Sequence, residues 1–370
     1  MTYFENVKKS FGFGLMRLPR KGPLIDYTEL NKMVDAFMDA GFNYFDTAHG
    51  YMEMRSESAV KKSLSSRYPR ESYILTNKLS DGFFKKESQI RPFFEKQLKA
   101  CGVEYFDFYL MHAQNATNFK KYKECRAYET AFELKKEGKI RHVGLSFHDK
   151  ASVLEQILTE YPEIEVVQIQ FNYLDYEDPS VEGRKCYEVC RKFNKPIIVM
   201  EPVKGGSLVN LPDDAKQVLA DLKGGSPASY AIRFAASFEG VFMVLSGMGN
   251  MDMMSENIGF MKDFKPFTEE EYEAVGKVCK IMNAQNLIQC TACRYCVDGC
   301  PKNIPIPELF ACLNDKKQFK NWNSTYYYEE VHSKNGKASD CIGCGKCETA
   351  CPQHLKIREL LVDVAKEFEK

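Results

Sequence analysis

Between about residue 11 and residue 261, short apolar runs alternate with stretches whose apolar positions recur at helical spacing. The runs are residues 12–18, 43–47, 72–79, 105–112, 140–146, 166–172, 196–201 and 241–246. Several are rich in β-branched or aromatic residues and apolar on both faces, as the strands of a covered parallel sheet are. The stretches between them read as amphipathic helices. Leu30, Met33, Val34, Phe37 and Met38 form one stripe, stopped by Gly41, and Ile90, Phe93, Phe94 and Leu98 form another. Strands alternating with helices over about 250 residues predict an α/β fold, a (β/α)8 TIM barrel. An open doubly wound sheet is the alternative. No Gly-x-Gly-x-x-Gly follows the first run, which weighs against a Rossmann arrangement.

After Met261 the pattern changes. Residues 267–286 predict one further helix, and two dense cysteine runs follow. The chain therefore divides into a barrel, residues 1–265, and a small α-rich region, residues 266–370, comprising the helical linker and the cysteine runs. The first run is Cys290-x2-Cys293-x2-Cys296-x3-Cys300-Pro301, and the second is Cys341-x2-Cys344-x2-Cys347-x3-Cys351-Pro352. Each has the bacterial ferredoxin spacing, in which the fourth cysteine serves the other cluster. The expected ligand sets are thus Cys290, Cys293, Cys296 and Cys351 for one [4Fe–4S] cluster, and Cys341, Cys344, Cys347 and Cys300 for a second. Zinc would take two pairs of ligands rather than two such sets of four. Between the runs lies a polar and aromatic insert, residues 302–340, with Trp322 and Tyr326-Tyr327-Tyr328, expected to pack or to dock on a partner.

Composition narrows the function classes. The 370 residues carry 51 Lys+Arg and 51 Asp+Glu, a balance that argues against a nucleic-acid binder. No apolar stretch is long enough for a membrane helix. Residues 1–10 are polar and lack the apolar core of a signal peptide, so a cytoplasmic location is expected. In a reducing compartment, 14 Cys point to metal or catalysis rather than disulfides. The six outside the runs read as structural; Cys186 and Cys190, for instance, share an apolar helical face.

Four polar residues stand at or just past predicted strand ends: Asp46 and Tyr51 after the second, Lys78 closing the third and His112 closing the fourth. In a barrel these ends open onto one face, where the chemistry sits. His49 and His148 fall in similar loops and read as pocket lining, and His142 reads as strand packing. The stretch from Gly41 to Leu64, with Asp46-Thr47-Ala48, Tyr51 and Ser56-Glu57, resembles the aldo-keto reductase signature. Gly138 to Ser146 is similar to that family's fifth strand, and Val244-Leu245-Ser246-Gly247 with Glu256-Asn257 to its eighth strand and following helix. With the cysteine runs added, the chain resembles the ferredoxin-fused branch of that family. The resemblance implies a catalytic tetrad. Tyr51 would protonate the carbonyl oxygen as hydride arrives, Lys78 would lower the barrier to losing that phenolic proton, Asp46 would pair with Lys78, and His112 would orient the carbonyl.

The same resemblance implies NADP or NAD. Ser146, Gln168 and Asn172 would contact the carboxamide and nearby groups. The phosphates would meet Lys204-Gly205-Gly206 and the start of the helix that follows Gly247 and carries Asn257. The family pattern is broken at Met200, Phe147, Gly247 and Met253, which leaves NADH and NADPH both open, with Lys204 as a substitute charge. Hydride moves two electrons and a cluster moves one, so a flavin in this chain or a redox partner protein (a ferredoxin or flavoprotein) is expected. The overall expectation is an oxidoreductase acting on a small-molecule carbonyl or related substrate, coupled to electron transfer. Two alternatives are a redox sensor or electron-transfer module whose barrel only binds nucleotide, and clusters that merely pin the C-terminal region.

Overall fold

The structure, a computed structural model, describes residues 3–179, 181–319, 323–333 and 336–369. Its residues form two units, Met1–Pro202 with Ala231–Phe267 and Val203–Tyr230 with Thr268–Lys370. The sequence places a single boundary near residue 265; in the structure the segment Val203–Tyr230 also groups with the C-terminal residues.

The first unit is built on a closed barrel of eight parallel strands: β1 Phe11–Gly14, β2 Tyr44–Asp46, β3 Ile74–Leu79, β4 Phe106–Gln114, β5 Ile140–Phe147, β6 Val166–Gln170, β7 Ile197–Met200 and β8 Val241–Ser246. Each strand pairs with its neighbours in sequence, and β1 closes on β8. Every predicted run holds a strand. The first is the most overestimated, because Leu15 onward leaves the sheet and runs towards a short antiparallel hairpin, Arg20–Lys21 with Leu24–Ile25. Large side chains fill the barrel: Tyr44, Phe108, Leu110, Val166, Ile198 and Met243 form one buried cluster. Phe4 plugs its N-terminal end, with ring centres 4.9 Å from Phe108 and 4.6 Å from His142. At Gly144 a Cβ would lie 2.5 Å from the Val166 carbonyl oxygen, so only glycine lets β5 approach β6 there.

Helices follow the strands because each carries an apolar stripe to lay on the sheet. In Tyr27–Asp39 the buried residues are Leu30, Met33, Val34 and Phe37, and Asp26 caps the helix by accepting from the Thr28 and Glu29 amides.

The second unit is helical. Glu269–Ala284 opens with a reciprocal capping box between Thr268 and Glu271 and packs against Asp213–Ala220. The insert contains a helix that its polar composition conceals, Ile306–Phe319. Its Leu309, Phe310 and Leu313 meet Leu361, Val364 and Phe368 of the last helix, Ile357–Phe368. Tyr328 is buried and stacks on Phe368 at 4.6 Å, so this part of the insert serves packing. Trp322 lies outside the described residues. Among the described residues, no helix is long and apolar enough to cross a membrane.

Candidate active site and cluster sites

Strand register decides which polar groups meet at the C-terminal end of the barrel. Asp46 lies opposite Thr76, and Lys78 is two residues further along β3 on the same face. Lys78 Nζ accordingly donates to Asp46 Oδ1 at 2.5 Å and to the Thr47 carbonyl oxygen at 3.0 Å. Both side chains are buried, 1% and 3% exposed. Burial raises the Asp46 pKa and lowers that of Lys78, and the attraction between them opposes both shifts. Asp46 Oδ2 is buried with no hydrogen-bond partner among the described residues.

Tyr51 stands in front of this pair. Its ring centre is 5.1 Å from Lys78 Nζ and 6.0 Å from the His112 ring. Tyr51 and His112 are half-buried, whereas Asp46 and Lys78 are sealed behind them. The chain reaches this position through an unusual turn: Met52, Glu53 and Met54 all have positive φ, at 54°, 52° and 64°. A left-handed turn costs a non-glycine residue roughly 1–2 kcal/mol. Arginines brace it. Arg55 Nε donates to the Met52 carbonyl oxygen at 3.1 Å, and Arg20 pairs with Glu53 at 2.9 Å.

Leu79 pairs with Met111, so the next residues, Ser80 and His112, come side by side. Ser80 Oγ and His112 Nδ1 share a 2.6 Å hydrogen bond. Beyond His112 the strand bulges, Ala113 turns to positive φ, and its amide donates to Ser146 Oγ at 2.8 Å. Burial holds the His112 pKa well below the usual imidazole value, and Lys78 and His148 push the same way. His112 is therefore neutral at physiological pH.

A buried polar network lies behind the tetrad, and the sequence pattern did not single it out. Glu57 binds His49 Nδ1 at 2.6 Å, Asn77 Nδ2 at 2.9 Å and Gln97 Nε2 at 3.1 Å. Gln97 in turn accepts from Tyr109 at 2.6 Å and donates to the Lys78 carbonyl oxygen at 3.0 Å. The network holds the Lys78 carbonyl oxygen through Gln97 and its amide through Asn77 Oδ1, which accepts at 2.8 Å. Glu57 belongs to the Ser56-Glu57 pair of the signature stretch, which was its one signal in the sequence.

The residues expected around a nicotinamide nucleotide fare differently. Ser146 and Gln168 pair across β5 and β6. Gln168 Oε1 is buried without a partner among the described residues, an acceptor suited to a carboxamide N–H. Asn257 Nδ2 donates to Ser246 Oγ at 3.1 Å, fixing the helix Met251–Lys262 beside β8, and Gly247 follows that strand directly. Asn172 is already saturated. Its Nδ2 donates to Asp175 at 2.6 Å and to the Glu201 carbonyl oxygen at 3.0 Å, and its Oδ1 accepts the Leu174 and Asp175 amides at 3.1 and 2.9 Å. Lys204, Gly205 and Gly206 belong to the second unit, where buried Lys204 donates to Gln353 at 3.1 Å. A Cβ on Gly205 would sit 2.5 Å from the Thr291 carbonyl oxygen.

In the second unit the cysteines surround two cavities. One is lined by Cys290, Cys293, Cys296 and Cys351, with Thr291 and Gln353. The other is lined by Cys300, Cys341, Cys344 and Cys347, with Lys302 and Ile342. Two separate four-thiol cavities suit cubane clusters. The remaining cysteines are all at least partly buried.

Comparison with known proteins agrees with this arrangement. Residues 10–280 match the aldo/keto reductase family model, and residues 289–355 match a 4Fe-4S dicluster domain. Aldo-keto reductase str7 of Strobilurus tenacellus is 26% identical over 318 residues, which are 75% of this chain and 90% of that protein. The NADH-specific methylglyoxal reductase of Escherichia coli is 27% identical over 195 residues, 47% of this chain and 57% of that one. A solved aldo-keto reductase from Klebsiella pneumoniae, in complex with NADPH, has the same fold. Its TM-score is 0.59 at 18% identity, covering 74% of this chain and 95% of that chain. The match over residues 10–280 thus places this chain in the aldo/keto reductase family, as an oxidoreductase that also carries a 4Fe-4S dicluster domain.

Proposed function

We propose that the barrel reduces a small carbonyl substrate at Tyr51, using NADH or NADPH, and that the C-terminal cysteines hold two [4Fe–4S] clusters that exchange electrons with a partner. The observation carrying the first part is the buried Lys78–Asp46 pair at 2.5 Å, set behind a Tyr51 ring 5.1 Å from the ammonium. A bound nicotinamide would supply the hydride. Tyr51 gives its phenolic proton to the carbonyl oxygen, and Lys78 stabilises the negative charge left on the phenol. Asp46 holds Lys78 in place and keeps a cation tolerable in a buried position. His112, neutral and held by Ser80, orients the substrate oxygen without adding a charge. Gln168 and Ser146 fit the carboxamide, with Gly247 and Asn257 beside the nucleotide. Asn172 acts through the Asp175 turn rather than by contact. A flavin, on this chain or on a ferredoxin- or flavoprotein-type partner, is what coupling paired to single electrons would require.

The test is Tyr51→Phe in anaerobically purified protein, assayed with NADH and NADPH against small aldehydes and ketones, methylglyoxal included. Turnover should fall about 10²–10⁴-fold while nucleotide affinity and iron content stay unchanged. Undiminished turnover would remove Tyr51 from the chemistry. An unmodified protein that binds nucleotide but turns over no carbonyl would favour the electron-transfer module.

A further inference from the structure

The two cysteine cavities differ in the residues that line them. At the first, Thr291, Cys296 and Gln353 are buried, and the one charged side chain lining the cavity, Arg294, is ion-paired with Glu308. At the second, the loop Ile342-Gly343-Cys344 is exposed throughout, and Ile342 leaves 61% of its surface in water. Lys302 lines this cavity and Lys346 adjoins its loop. Both are exposed, and neither has an ion-pair partner among the described residues. Arg358 and Glu348 nearby neutralise each other at 2.8 Å. This site therefore carries an exposed apolar side chain, Ile342, and an exposed lysine, Lys302, on its lining, with a second exposed lysine, Lys346, four residues along the chain from Ile342, a combination that suits an apolar contact with a charged rim. The exposed Ile342 coincides with the more accessible set of thiols, which includes the exposed Cys344.

We propose that the Cys300/Cys341/Cys344/Cys347 site is the electron port of this protein, and that Ile342, Lys302 and Lys346 dock a small acidic one-electron carrier of the ferredoxin type. The inference rests on the two-cluster reading above. In the exchange the reduced carrier loses one electron and the cluster at this site gains it, with no bond formed and no proton moved. Ile342 brings the carrier's own centre close by excluding water from the contact. The lysines steer an acidic surface onto it, which acts on the association rate and fades with salt.

The experiment uses the full chain with its clusters, kept free of oxygen. A reduced acidic ferredoxin is mixed with it in a stopped-flow instrument, and cluster reduction is followed by absorbance. The second-order rate constant should fall steeply as salt is raised. It should fall at least about tenfold at low salt in Lys302→Glu/Lys346→Glu, and again in Ile342→Asp. Lys262→Glu, on the first unit, should leave it unchanged. Dithionite, too small to need docking, should reduce the variants like the unmodified protein, with the same iron content and EPR signals. That control separates loss of docking from loss of a cluster, and an unmodified protein lacking a second cluster would fail at the iron count before any docking was measured. A rate insensitive to salt, or equal in the charge-reversed variant and the unmodified protein, overturns the port. So does a basic carrier that reacts faster than the acidic one.

Discussion

Removing the ammonium from the buried pair should cost more stability than any contact distance suggests. In Lys78→Met the side-chain length is kept and the charge is lost. Asp46 then has no donor at Oδ1, where Lys78 stood at 2.5 Å, and Oδ2 already has none among the described residues. A carboxylate stranded in this way costs about 3–5 kcal/mol, a large part of the roughly 5–15 kcal/mol that holds a domain folded. Replacing both partners, in Asp46→Leu/Lys78→Met, removes the stranded charge. What remains is the Thr47 carbonyl, deprived of its 3.0 Å donor, a loss of about 1–3 kcal/mol partly offset by apolar packing. The double variant should therefore be more stable than Lys78→Met by about 2 kcal/mol. The measurement is denaturant unfolding of anaerobic protein, followed by far-UV circular dichroism. The pH dependence gives a second reading. A carboxyl whose folded pKa lies above its unfolded value contributes stability below the unfolded value and loses it as pH rises through the folded one, so lowering the pH should narrow the deficit of Lys78→Met. A single-variant loss under about 1 kcal/mol, or a double variant no better than the single, would refute a charged pair at this position.

Further outcomes follow from the same geometry. Because His112 is held neutral, kcat/KM should show no inflection from it between about pH 6 and 8; one near 6.5 that vanishes in His112→Ala would contradict the depressed pKa. By the sign of that shift, its stability contribution is complete above about pH 6.5 and is lost as pH falls through the folded value. Cys351→Ser should abolish the cluster of Cys290, Cys293 and Cys296 while sparing the other, lowering iron by about half and removing one EPR species; loss of the signal belonging to Cys341, Cys344 and Cys347 instead would reverse the pairing. Gly205→Ala meets both a positive φ of 64° and a carbonyl 2.5 Å away, so it should destabilise the second unit by at least about 1 kcal/mol, read as faster thermal loss of cluster absorbance, and an unchanged rate would show that the loop adjusts freely.

Much of this molecule is written in local pattern. The barrel strands announce themselves because parallel strands covered on both faces are largely apolar, as in residues 197–200 and 241–245. The cysteine runs carry their own geometry, since tight spacing lets one loop reach one cavity while the fourth thiol is carried to the other; the cavities of the second unit have the same two sets of four. The positions of Asp46, Lys78 and His112 were legible because strand ends are legible. What the sequence could not decide were the relations that need register and depth. Only pairing of Leu79 with Met111 puts Ser80 against His112. Only burial makes Glu57 the hub of a network rather than a surface charge. The saturation of Asn172 depends on a turn that brings Asp175 back to it, and the grouping of Lys204 with Gln353 spans 149 residues of chain. Local pattern reports which face a residue prefers. Which group waits on that face, and whether its hydrogen bonds are already taken, is settled by segments distant in sequence, and so by the tertiary structure alone.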